Sequence, residues 1–225
     1  MKVINVEQGT EEWQRERLAC VTGTRIKSAV GAKYSSVTNE WTLGDKKIQA
    51  TLLYALVSER QSDVVIDTYC SPKMERGNEL EPLSIEAASI KRGVTFESIG
   101  MLQCDWHPRF KFSPDAICVE DGVVVGGYET KSKEGGKHIE YTLKNEIPAE
   151  HFWQVIGPMI MDDSVQWWDF GHFDDRNYIN NLFIKRITRK EVNTLVLQAR
   201  GILKNFLRDV DMADKQIKRN NEDFI

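Results

Sequence analysis

The sequence has no Cys-x-x-Cys pair, no internal repeat, no low-complexity tract and no apolar run long enough to cross a bilayer. Each absence removes a class of protein. The scattered Cys20, Cys70, Cys104 and Cys118 lack the spacing of a zinc or iron–sulfur site. They suit small buried hydrophobes in a reducing cytosol. The opening Met1-Lys2-Val3-Ile4-Asn5 has no signal-peptide apolar region. No linker of Pro, Gly or Ser divides the chain, so a single domain over 1–225 is expected, with a frayed polar tail at 215–225. Positive charge is not in excess either. Lys and Arg number 30 against 34 Asp and Glu, a net charge of −4. A protein of that charge that binds a polyanion must gather its cations in one place.

What the chain does have is a 41% hydrophobic content over 225 residues, enough for one substantial core. Its strongest turn signal is Glu120-Asp121-Gly122-Val123, flanked by Ala116-Ile117-Cys118-Val119 and Val123-Val124-Val125. Asp-Gly supplies the positive φ values of a tight hairpin. The hairpin sets Asp115, before the first strand, beside Glu129, late in the second. Lys131 lies two residues after Glu129 and so on the same strand face. The apolar run Val123–Val125 suggests that this strand is buried, where unpaired charge is disfavoured. Two carboxylates and an ammonium in a small volume suit a hard divalent cation and metal-assisted hydrolysis of a phosphodiester. The bland alternative is a solvated strand face carrying a Glu–Lys pair.

Other stretches carry local signals. Thr10 caps a helix with acidic Glu11 and Glu12 in its first turn; Trp13 and Leu18 face inward. Val21-Thr22-Gly23-Thr24 opens a short helix, Arg25 to Val30, stopped by Gly31. Residues 31–44 read as irregular, with Trp41 as a lid on the core. Asp45 starts a helix to about Arg60 with Ile48, Leu52, Ala55 and Leu56 on one face. A helix follows Glu75–Pro82 and ends at Gly93, with Leu80, Leu83, Ala87 and Ile90 as its apolar stripe. Pro82 either opens or kinks it, and Glu81 reads as solvated. Val94–Cys104, Val165–Phe173 and Tyr178–Ile187 read as strands. Pro148 to about Met161 is an amphipathic helix whose Gln154 faces solvent. Thr188-Arg189-Lys190-Glu191 is a capping box that opens the longest helix, 188–211. It carries Val192, Leu195, Val196, Ala199, Ile202, Leu203, Phe206 and Val210 at helical spacing. The order of elements is α/β or α+β with a mixed central sheet.

Pro114-Asp115 followed by Glu129-Thr130-Lys131 resembles the motif of restriction-endonuclease-like nucleases. More narrowly, the chain resembles the phage lambda exonuclease family, the YqaJ-like viral recombinases. Glu7-Gln8-Gly9, Trp13, Arg17-Leu18, Val21–Thr24, Gly77–Glu81, Asp105, Ser113–Asp115, Glu129–Lys131 and Gln154-Val155 match in order. The resemblance displaces the solvated readings of Glu81 and Gln154. It implies a restriction-endonuclease-like core with a mixed sheet flanked by helices. It also implies a Mg²⁺-dependent exonuclease, with Mn²⁺ as substitute and two ions in the site. This enzyme would digest one strand of linear double-stranded DNA from its 5′ end. The 3′ single strand left behind would go to a single-strand annealing protein.

By the same resemblance Asp115, Glu129 and the Thr130 carbonyl would ligate metal, with Glu81 acting through water. Lys131 would position the attacking water and Gln154 would help orient it. Arg17, Thr24 and Ser113 would bind a 5′-phosphate; alone, Arg17 reads as an ion pair with Glu12 or Glu16. Thr24 and Thr130 stand where a known member has Ser and Leu, and stretches 32–47 and 132–148 match poorly. A homotrimeric ring is implied, acting in a bacterial cytoplasm without a membrane. An endonuclease or repair nuclease of the same fold, or a DNA-binding recombination factor with an inactive nuclease site, are the other readings.

Overall fold

A computed structural model describes residues 1–62, 64–65, 72–132 and 135–222. It begins with β1 (Lys2–Ile4), α1 (Glu11–Arg17) and a 3₁₀ turn (Gly23–Arg25) that runs into α2 (Ile26–Ala29). A small hairpin, β2 (Lys33–Ser35) and β3 (Glu40–Thr42), leads to α3 (Lys46–Ser62) and α4 (Pro72–Arg92). Then come β4 (Met101–Gln103), β5 (Lys111–Phe112), β6 (Ala116–Glu120), β7 (Val123–Lys131), α5 (Gly135–Lys144) and α6 (Phe152–Met161). The chain closes with β8 (Trp167–Phe173), β9 (Leu182–Thr188) and α7 (Arg189–Glu222).

The central sheet has the order β6-β7-β8-β9. Its outer pairs are antiparallel and β7–β8 is parallel, joined by the crossover through α5 and α6. A second sheet, β1-β4-β5, delivers the chain to β6. Asp121 and Gly122 both take positive φ, 51° and 77°, so a two-residue turn makes the β6–β7 hairpin. Ala116 pairs with Tyr128, which sets Asp115 level with Glu129.

The sheet separates two cores. One face, with Trp168 and Phe170, packs on α6, α7, α3 and α2 through residues such as Ile156, Met159, Leu203, Phe206, Leu56 and Ile26. The other, with Tyr128, packs on α4 through Leu80 and Ala88. Tyr128 leans across Gly171 so closely that a Cβ there would lie 1.8 Å from its hydroxyl. That glycine lets Tyr128 Oη reach Ser84 Oγ at 2.8 Å; Ser84 Oγ also meets Thr130 Oγ1 at 2.6 Å. Asp169, fully buried, takes bidentate hydrogen bonds from Arg92 on α4 and Arg186 on β9. Helix α4 is thus fastened to the sheet at two points, and Glu81 lies one turn from the first.

Several expectations are corrected. The strand at Val94–Cys104 is only Met101–Gln103; Glu97 makes an isolated bridge to Ile117. The stripe on α4 is Leu80, Ser84 and Ala88, because the Ser84 hydroxyl is satisfied inside; Leu83 and Ile90 are exposed. On α3 the buried set is Gln49, Leu52, Leu56 and Val57, with Gln49 Nε2 donating to Ala29 O, and Ala55 is exposed. Residues 31–44 contain the β2–β3 hairpin, whose Trp41 packs on Phe152 and Trp153. Helix α6 starts at Phe152 and is buried nearly all round rather than amphipathic. Strand β7 is buried over Gly126–Thr130, whereas Val123 is exposed. The short second helix divides into the 3₁₀ turn and α2. Helix α7 continues to Glu222 through most of the stretch expected to fray, and 223–225 lie outside the described residues, as does Cys70. Thr10 caps its helix as expected, and of the box at Thr188 the Glu191 half is formed: its carboxylate accepts from the Thr188 amide and hydroxyl.

Candidate active site

Asp115 leaves β5 through Ser113-Pro114 and turns into β6. Its Oδ2 accepts a hydrogen bond from the Thr130 amide at 2.6 Å. Glu129, 2% exposed, accepts from Lys131 Nζ at 2.5 Å. Both come from β7, on the face opposite Tyr128 and Thr130, as the strand period requires. Glu81 approaches from α4. Burial pushes Asp115 well above the usual carboxylate range; Glu129 and Glu81 push it further and Lys131 pulls it back. Burial also raises Glu81; Lys131 lowers it in part and Glu129 raises it further. For Lys131 burial acts downward, but Glu129, Asp115 and Glu81 more than reverse it, so the ammonium is held above its ordinary value. Three carboxylates therefore share one ammonium in a largely water-excluded place.

The donor set fits a hard cation. It offers carboxylate oxygens and a main-chain carbonyl, with no thiolate. The Thr130 hydroxyl is engaged by Ser84, which leaves the carbonyl as the Thr130 group to consider as a donor. Among the described residues no three His, Cys, Asp or Glu side chains form a ready cage. Mg²⁺ does not ask for one: it takes one or two carboxylates and keeps several waters.

The other expected site residues fall into two groups. Trp13 Nε1 donates to Ser113 Oγ at 2.9 Å, and the Arg17 guanidinium lies 4.0 Å from the Trp13 ring centroid. Burial, then Arg25, lower the Arg17 pKa. Among the described residues it has no ion pair; Glu16 is taken by Lys111. Arg17 and Ser113 are thus linked through Trp13. Thr24 is exposed in the 3₁₀ turn, and the neighbouring Gly23 rests against the Phe112 ring, one residue before Ser113. Gln154 is half-buried on α6 and makes no side-chain hydrogen bond among the described residues. Asp105 stands apart, exposed in the β4–β5 turn.

Sequence reasoning missed Ser84 and Tyr128, and it missed a histidine pair. His172 is paired with Lys131 across the parallel ladder. Its Nδ1 lies 3.0 Å from His138 Nδ1, and His138 Nε2 donates to Asn180 O at 2.6 Å. The signal was rarity: the chain has four histidines, and these two flank the Glu129–Lys131 strand end.

Comparison with protein families matches the YqaJ-like viral recombinase domain over residues 12–163. Curated proteins give no match. Among solved structures the chain is similar to an alkaline exonuclease (LHK-Exo) from Laribacter hongkongensis. The identity is 23% over 96% of this chain and 100% of that one, with a TM-score of 0.77. The structure of LHK-Exo in complex with dAMP gives the same figures. A phage related exonuclease from Haemophilus somnus 129PT matches at 13% identity, over 89% and 96% of the two chains, with a TM-score of 0.55. At these identities the likeness establishes the fold, a restriction-endonuclease-like mixed sheet flanked by helices.

Proposed function

The chain belongs to the YqaJ-like viral recombinase family, and on that premise we propose that it is a metal-dependent exodeoxyribonuclease. It digests one strand of linear duplex DNA from the 5′ end and leaves a 3′ single strand for an annealing partner. The observation that carries the reading is the meeting of Glu81, Asp115, Glu129 and Lys131 from three separate segments. Its solved neighbours are an alkaline exonuclease, LHK-Exo, and a phage related exonuclease.

Asp115, Glu129 and the Thr130 carbonyl hold Mg²⁺, or Mn²⁺ in its place, and Glu81 holds the surrounding waters. When bound, the ions supply Lewis-acid polarisation of the phosphate and a more acidic water. Lys131 is favoured in its ammonium form by Glu129, Asp115 and Glu81, which suits a hydrogen-bond donor better than a base. It donates to the attacking water or to the phosphate oxygens, and Glu129 fixes its position. Gln154, with its side chain uncommitted, helps orient that water. Arg17, Thr24 and Ser113 receive the terminal phosphate, for which a guanidinium fork suits better than an ammonium. Net charge of −4 is accommodated if copies of the chain form a trimeric ring that turns their cations inward.

The test is Mg²⁺-dependent digestion of blunt, 5′-phosphorylated linear DNA beside closed circular DNA. Loss of the linear form from its 5′ ends, with circles intact, is expected. Cut circles would make it an endonuclease. Binding without cleavage would make it a DNA-binding factor with an inactive site.

A further inference from the structure

The segment between β8 and β9, residues 174–181, carries the two most conspicuously exposed apolar side chains near the carboxylate cluster. Tyr178 is 93% exposed and Ile179 88%. The segment is nonetheless held firmly. Asp174, itself buried, closes its neck by donating its amide to Asn181 O at 2.9 Å. The Asp174 carboxylate accepts from Arg176 Nε at 2.8 Å, and Asn177 Oδ1 accepts from the Asn180 amide at 3.1 Å. Asn180 O accepts from His138 on α5, and Asp175 is paired with Arg76 on α4. A Cβ on Gly135, in the first turn of α5, would lie 3.1 Å from Asp174 Oδ2.

These anchors fix where the tip stands. Strands β7 and β8 run parallel, and Lys131 is level with His172. The segment leaves β8 one residue later, so it rises from the sheet end where Lys131 and Glu129 sit. Its two flanks are α5, which follows Lys131, and α4 at Arg76, five residues before Glu81. Pairing with Arg176 and Arg76 also neutralises Asp174 and Asp175, so the tip does not repel a phosphate backbone. Folding alone gives no reason to hold an aromatic and a β-branched side chain in water at that place.

We propose that Tyr178 and Ile179 form a stacking tip for a nucleobase, at or next to the end of the duplex that enters the site. An aromatic ring accepts the face of any base, which suits an enzyme that must process every sequence. The inference rests on the exonuclease reading and adds to it a base contact, made by a segment outside the carboxylate cluster.

A double-mutant cycle tests it. Wild type and Tyr178→Ala/Ile179→Ala are titrated, in Ca²⁺ to block cleavage, with duplex ends carrying normal or abasic nucleotides. The abasic position is the terminal or the second nucleotide of either strand. The double variant should bind normal ends roughly tenfold more weakly, as loss of one base stack implies. At one of those positions the abasic change should weaken wild type by a similar factor and leave the variant almost unaffected. Equal abasic effects in both proteins at every position would overturn the tip. So would a change of oligomeric state in the variant, which would make the tip a contact between copies. Wild-type digestion in Mg²⁺ is read separately. Wild type that binds ends and shows the coupling but never cuts would sink the exonuclease reading and keep the tip. Absence of any binding to DNA ends by wild type would overturn both.

Discussion

Two buried acidic places lie on the same sheet, one strand apart, and they are built in opposite ways. Asp169 on β8 is fully buried and receives two guanidinium groups, each bidentate. Arg186 is itself supported from behind by the Trp167 ring, 3.7 Å from its centroid. There, one carboxylate has two cations. At the end of β7, Glu81, Asp115 and Glu129 have, among the described residues, only Lys131. The first arrangement is what a fold does with a buried charge when it needs the charge for fastening: every oxygen is satisfied. The second leaves negative charge uncompensated in a place of low dielectric, and perturbed carboxylates of that kind collect where chemistry is done. One cluster holds α4 against the sheet; the other uses the position that α4 is held in.

Substitution should separate the two. The largest effect is expected on catalysis. Asp115→Ala, Glu129→Ala and Lys131→Ala should each reduce DNA hydrolysis more than about 1,000-fold, since metal holding and water positioning have no spare residue. Circular dichroism should show each variant folded. Near-normal cleavage by Asp115→Ala or Glu129→Ala in Mg²⁺ would remove those residues from the mechanism.

Asp169→Asn should do the reverse. It leaves Arg92 and Arg186 facing each other, and breaking a buried pair costs about 3 to 5 kcal/mol. Their side chains are 27% and 31% exposed, so water recovers part of this and about 3 kcal/mol is expected. For a chain of this size that lowers Tm by roughly 6–12 °C. The rate at 20 °C should stay within about threefold of wild type, because no group of the cluster is removed. A stable Asp169→Asn protein with abolished cleavage would show that the two places are not separate.

A smaller effect is expected at the phosphate pocket. Arg17→Ala should lose the preference for 5′-phosphorylated over 5′-hydroxyl ends by about 2 kcal/mol, roughly 30-fold. Its partner set contains no carboxylate, so Tm should hardly move. An unchanged ratio of the two ends would place end recognition elsewhere.

The contrast also explains what could be read from the sequence. The β6–β7 hairpin was legible because its signal is local: Asp-Gly demands positive φ, and register then follows residue by residue to Asp115 and Glu129. The Asp169 cluster was not legible. Arg92, Asp169 and Arg186 are far apart in the chain, and none stands out from its neighbours by type or spacing. Ser84 was missed for a related reason. A serine in a helix reads as polar surface, and the hydroxyls that make it interior, Tyr128 and Thr130, are on β7. The same error placed the expected stripe of α4 on Leu83 and Ile90, which are exposed, instead of on Ser84 and Ala88. Helix α5 went unread because its inward face is His138 and Tyr141, which periodicity in aliphatic residues does not find.

The most delicate expectation concerns pH, and it isolates the uncompensated charge itself. Asp115 and Glu81 are both raised above their ordinary range in the folded chain, chiefly by burial. A raised carboxylate binds a proton more tightly when folded than when unfolded. Its contribution to stability is then fully present below the unfolded pKa, near 4, and is lost as pH rises through the folded value. In EDTA the contribution of Asp115 and Glu81 to Tm should therefore fall as pH climbs from about 4 through the weakly acidic range, by on the order of a few degrees, against the gain from carboxylates that their partners hold low, such as Asp162 and Asp211. Asp115→Asn should flatten that slope, because the amide carries no charge to lose or gain. Mg²⁺ should flatten it in wild type as well, by binding the folded, ionised site in preference to the unfolded chain. Asp169→Asn should keep the slope at a lower Tm throughout. Scanning fluorimetry of the three proteins across pH, with and without Mg²⁺, reads all of this. A wild-type profile in EDTA that runs parallel to that of Asp115→Asn over that range would mean that the three carboxylates are adequately compensated, and the contrast with Asp169 would collapse.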